Sequence, residues 1–95
     1  MTRFAVGRAP RPTAPAGLGV RRARGGLEIS WRRVPGAARY AVSVRVNRRR
    51  EVFRVTRAPR VLIAGVDTRA RGTVTVAGLR ADSVTGAKSS RPLPR

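Results

Sequence analysis

Apolar and polar residues alternate with period two in several short runs, a pattern that predicts strands. Leu27-Glu28-Ile29-Ser30-Trp31 alternates strictly, which places Leu27, Ile29 and Trp31 on one face. Tyr40-Ala41-Val42-Ser43-Val44-Arg45-Val46 alternates again, with Tyr40, Val42, Val44 and Val46 inward and Ala41, Ser43 and Arg45 outward. Between the two lies Val34-Pro35-Gly36-Ala37. Proline suits the first central position of a type II turn, and glycine suits the second, where φ is positive. The two runs therefore form a hairpin or a pair of strands facing each other across a core. Asn47-Arg48-Arg49-Arg50 reads as a polar turn into Glu51-Val52-Phe53-Arg54-Val55, and Val61-Leu62-Ile63 is a short apolar run bounded by Pro59 and Gly65. Gly72 opens the β-branched run Thr73–Ala77, with Val74 and Val76 inward, and Gly86 precedes a weak final segment around Ala87–Ser89. At the front, Ala14 to Arg21 supplies a first strand with Leu18 and Val20 inward. No window carries a capped helical period. About seven short strands at regular spacing argue a sandwich or barrel. The expected core is Leu27, Ile29, Trp31, Tyr40, Val42, Val44, Val74 and Val76.

Ninety-five residues suit one domain. Pro10 and Pro12 among Ala, Arg and Gly make residues 1–13 an expected flexible linker. Pro92 and Pro94 are expected to block regular pairing, which leaves 92–95 as a C-terminal tail and 14–91 as the folded unit.

The ordered set Pro15-Ala16-Gly17-Leu18, Trp31 closing its strand, the Pro-Gly-Ala turn, Tyr40 followed by Val42, and the Thr73–Ala81 strand running to Gly86 and Ser89 resembles a fibronectin type III domain. The segment from Trp31 to Tyr40 is the most specific part and looks like bacterial members of that family. The resemblance implies an all-β, immunoglobulin-like sandwich of about seven antiparallel strands. It further implies an adhesive, accessory or spacer role outside the cell or at its surface, beside neighbouring domains of a longer protein. One feature departs from the family: the tyrosine that usually ties the start of the sixth strand to the preceding loop is missing at Gly72, Val74 and Thr75. A looser loop around residues 66–71 is the expected result.

Charge adds a second layer. The chain carries 22 basic residues against Glu28, Glu51, Asp67 and Asp82, a net charge of +18, and Lys88 is its single lysine. A GC-rich genome accounts for arginine over lysine but not for the scarcity of acids. So large a charge attracts polyanions: an anionic polysaccharide, an acidic protein, an anionic membrane surface or nucleic acid. Arg48, Arg49 and Arg50 fall on the expected turn between the third and fourth strands. The family resemblance puts the third, fourth and sixth strands in one sheet. Arg45 and Arg54 on the outer face, with the triplet, would then form a single positive face, and Arg80 would stand near the end of the sixth strand.

Catalysis is not expected. Without His or Cys the chain lacks the usual general base and the strongest nucleophile, and its four carboxylates are scattered. Neither a cofactor nor a metal is implied. Arg80-Ala81-Asp82 lacks the central glycine of the adhesive Arg-Gly-Asp loop. A nucleic-acid-binding β protein is the alternative that charge alone supports, as nonspecific attraction, because no recognition helix or paired stacking aromatics appear.

Overall fold

The computed structural model describes residues 12–47, 50–66 and 71–93. Seven strands appear in order: β1 (Gly19–Ala23), β2 (Gly26–Ser30), β3 (Arg39–Val46), β4 (Arg50–Thr56), β5 (Arg60–Ala64), β6 (Gly72–Leu79) and β7 (Thr85–Pro92). They form two antiparallel sheets, one in the order β1-β2-β5 and the other β4-β3-β6-β7. The two clearest alternating runs, β2 and β3, thus belong to different sheets and face each other across the core. Their link turns at Val34–Ala37, where Gly36 takes φ 82° and the Ala37 N–H donates to the Val34 carbonyl at 3.1 Å. A side chain at that φ would be strained, which is why glycine holds the position.

The core follows the period-two alternation. Leu27, Ile29 and Ile63 from one sheet meet Val42, Val44, Val74 and Val76 from the other, and all are essentially solvent-free. Trp31 leaves the end of β2 and meets Tyr40 of β3 edge to face, with ring centroids 5.2 Å apart and planes at 66°. Such a pair joins the two layers with both buried area and favourable quadrupole geometry. The Tyr40 hydroxyl accepts the buried Val34 N–H at 2.9 Å, so the ring that fills the core also fixes the loop leaving β2. The Trp31 Nε1–H is buried without a hydrogen-bond partner among the described residues.

Both ends of the described chain are more ordered than the sequence predicts. Pro12 is buried and its carbonyl accepts the Ala87 N–H at 3.0 Å. Farther along, the Pro15 carbonyl accepts the Ser89 hydroxyl at 2.6 Å and the Leu18 carbonyl accepts the Arg91 guanidinium at 2.6 Å. Residues 12–18 therefore run parallel to β7 and cover its open edge, a standard protection against unwanted strand pairing. Gly86 makes the close approach possible, because a Cβ there would stand 2.3 Å from the Pro12 carbonyl oxygen.

At the other end, Pro92 completes β7 instead of stopping it, and Leu93 is buried with its N–H on the Gly72 carbonyl at 3.0 Å. The register explains the tolerance. Gly72 and Leu93 are a hydrogen-bonded pair, so the adjacent Thr73–Pro92 pair is the non-bonded kind and the proline nitrogen points away from β6. The expected tail at 92–95 is thus part of the sandwich as far as Leu93. The loop expected to be loose lies mostly outside the described residues, which resume at Arg71.

Candidate anion-binding surface

The turn after β3 and the approach to β6 meet at one end of the four-stranded sheet. Asn47 sits in the left-handed region with φ 51°, which an Asn side chain tolerates. Its N–H donates to the Arg71 carbonyl at 2.8 Å, and its Oδ1 accepts the Arg71 N–H at 3.2 Å. This reciprocal pair holds Arg71 beside the end of β3. One strand over, Arg45 projects from the outer face of β3 opposite Thr73 of β6. Arg45, Asn47, Arg71, Gly72 and Thr73 line a cleft of about 730 Å³.

The guanidiniums of Arg45 and Arg71 have no carboxylate within ion-pair distance among the described residues. The nearest acid across the sheet, Glu51, pairs in register with Arg45 but accepts the Ser43 hydroxyl at 2.8 Å. The cleft thus offers two free forks, an amide and a hydroxyl. That donor set suits phosphate, sulfate or carboxylate oxygens.

The structure divides the residues expected to share one positive face. Arg45 is exposed on the outer face, whereas Arg50, which pairs with the buried Val46, is exposed on the other side of the sheet at the first position of β4, near the same end. Arg48 and Arg49 lie outside the described residues. Arg54 does not join Arg45 either. In the β3–β4 register Arg45 opposes Glu51 and Val42 opposes Arg54, so Arg54 shares the side of Val52, the core-facing one, while Phe53 and Val55 point outward. Its guanidinium folds back onto the Phe53 carbonyl at 2.9 Å.

Arg80 stands at the opposite end of the sheet, because Leu79 pairs with Arg39 at the start of β3 and Gly72 with Val46 at its end. The separation is about 24 Å for seven residues at strand rise. Arg80 grips Asp82 with two bonds, Nε to Oδ1 at 3.1 Å and NH2 to Oδ2 at 2.7 Å. Hydrogen bonding from Arg80 holds the exposed Asp82 carboxyl below the usual aspartate range. The two charged residues of the Arg80-Ala81-Asp82 tripeptide are therefore engaged with each other.

Arg71 is the residue the sequence did not select. Its signal was its place directly before Gly72, the residue that opens β6 opposite the end of β3. Among the described residues no group of three His, Cys, Asp or Glu side chains converges to hold a metal.

Two antiparallel sheets of three and four strands, packed over one apolar core with no helix among the described residues, define an immunoglobulin-like β-sandwich. No family model and no curated protein sequence matches this chain.

Proposed function

We propose that this chain is a fibronectin type III module of the bacterial kind, a non-catalytic binding or spacer domain whose basic end holds anionic polymers. Support for the family comes from β4, which joins β3 in the four-stranded sheet. In a constant-type immunoglobulin domain the fourth strand instead belongs to the sheet of the first, second and fifth. Support for the binding role comes from one observation, the guanidiniums of Arg45 and Arg71 across a shared cleft, neither ion-paired among the described residues. In a chain of net charge +18, long-range attraction would bring a polyanion to the surface and this cleft would hold it. The extended shape of such a ligand allows Arg50, exposed at the same end, to add a contact. The role fits a domain outside the cell or at its surface, strung among other domains.

Binding measured against duplex DNA and against an acidic polysaccharide, each over a range of salt, tests this reading. For DNA, each phosphate contact contributes about 0.9 to the slope of log affinity against log salt. Arg45→Ser with Arg71→Ser should therefore flatten the slope by about 1.8, while Arg80→Ser leaves it unchanged. Equal affinity and slope for the double variant and the parent protein, on both polymers, would remove the proposed site. Preference for the polysaccharide at matched salt supports the surface role, and preference for DNA supports the nucleic-acid alternative.

A further inference from the structure

The two edges of the four-stranded sheet are treated differently. Residues 12–18 cover β7, whereas β4 is the outer strand at the other side of the sheet. The ladder shows which β4 groups face outward. Asn47 bonds toward the β6 side, so the odd-numbered residues of β3 pair with β6 and the even-numbered ones with β4. Even-numbered β4 residues therefore bond to β3, and the backbone N–H and C=O groups of Glu51, Phe53 and Val55 point off the sheet. One of these groups, the Phe53 carbonyl, is covered by the protein's own Arg54 guanidinium.

Side chains along this edge are sorted by face. Phe53 and Val55, outward, are 59% and 48% exposed. Beside Phe53 lies a shallow, mainly apolar depression of about 230 Å³ over Ala41, Ser43, Thr75 and Ala77, closed by Thr85 and Lys88. On the other face Arg50 and Arg54 flank the buried Val52, four residues apart. A strand laid against β4 would meet Phe53 and Val55, with Glu51 beyond them, on one side and two guanidiniums on the other.

We propose that the β4 edge is a docking site for an extended segment of a partner protein, added antiparallel as a fifth strand. The partner segment alternates: apolar residues stand beside Phe53 and Val55, and acidic residues four apart stand beside Arg54 and Arg50. Backbone pairing supplies the attachment and the alternating side chains supply the choice of partner. Arg54 acts as a gate. It caps the edge when no partner is present and releases the Phe53 carbonyl when an acid takes its guanidinium. A second copy of this chain is excluded as the occupant by charge, since its β4 would bring Arg50 and Arg54 against Arg50 and Arg54. This site is separate from the cleft of Arg45 and Arg71.

The test uses the peptide Thr-Val-Glu-Val-Thr-Thr-Glu with blocked ends, and its isomer Thr-Glu-Val-Glu-Thr-Thr-Val. The isomer has the same composition and charge but carries the acids on the other face. Binding followed by amide shifts should perturb Glu51, Phe53 and Val55, and the first peptide should bind about fivefold more tightly than its isomer, the ratio two exposed ion pairs supply. Methylating the backbone nitrogens at the second, fourth and sixth peptide residues should abolish binding. Val55→Pro should abolish it too, because that nitrogen faces off the sheet and its loss spares the β3–β4 ladder. Equal affinity for the two isomers, retained binding of the methylated peptide, or shifts confined to Arg45, Asn47 and Arg71 would each overturn the proposal. The peptide comparisons decide it even where the proline variant fails to fold.

Discussion

Replacing Tyr40 with phenylalanine removes a single oxygen from between the two sheets and leaves the ring in place. Tyr40 is 1% exposed, so the phenyl ring keeps its packing against Trp31 and opens no sizeable cavity. What changes is the Val34 N–H, whose bond to the Tyr40 hydroxyl at 2.9 Å is buried. Leaving a buried donor without an acceptor costs about 1–3 kcal/mol. At the middle of that range, with each kcal/mol worth about 4–8 °C in a domain of this size, the melting temperature should fall by about 8–16 °C. Urea titration followed by the fluorescence of Trp31, the only tryptophan in the chain, should show a lower midpoint with an unchanged slope, the sign of lost stability without a change in exposed surface. Hydrogen exchange should locate the effect at the Val34 amide. A midpoint shift equivalent to less than about 0.5 kcal/mol would refute the reasoning, because it falls below the range for an unpaired buried donor.

Other perturbations probe the ends, the turn and the charge. Leu93→Ala should destabilise the fold by about 2 kcal/mol, the lower end for a buried leucine, measured by urea unfolding, whereas a free tail would show no change. Gly86→Ala forces a Cβ against the Pro12 carbonyl and should raise the exchange rate of the Ala87 amide well before it unfolds the core. Asp82 titrates low in the folded chain because of Arg80. Its small contribution is therefore complete above the ordinary aspartate pKa, about 3.9, and is lost as pH falls through the lower folded value. Asp82→Asn should accordingly differ from the parent protein at pH 6, with the difference shrinking as acid protonates Asp82. Because 22 basic residues face four acids, thermal stability should rise with sodium chloride as like-charge repulsion is screened, and a fall would contradict that account.

Strands were legible where one parity of positions was wholly apolar. Leu27 and Ile29 on β2 with Trp31 just past its end, and Tyr40, Val42 and Val44 on β3, admit one phase each, and the structure buries all six. On β4 the run Val52-Phe53-Arg54-Val55 puts apolar side chains on both parities, so sequence alone left its phase open, and Arg54 was expected on the wrong face. Pairing with β3 settles it, burying Val52 and leaving Phe53 and Val55 in water. β7 was almost silent. Thr85–Pro92 contains no large apolar residue, and its order comes from β6 on one side and residues 12–18 on the other. For the candidate cleft, Arg45 could be placed because β3 had a fixed phase. Arg71 could not, because its position depends on which strand end its loop reaches. Arg80 was placed correctly at a strand end, but no local pattern says that this end is the one far from Arg50.

Pairing of residues 12–18 alongside β7 also determines how the molecule would bear load. Pro12 lies beside Ala87, near the start of β7, and Leu93 lies beside Gly72, past its far end. Tension applied at these two points pulls the neighbouring segments lengthwise past each other, so their mutual bonds are stressed together and cannot be peeled apart one by one. Stretching by the two ends should therefore meet a higher rupture force than pulling apart the β3–β4 hairpin, whose ladder opens pair by pair.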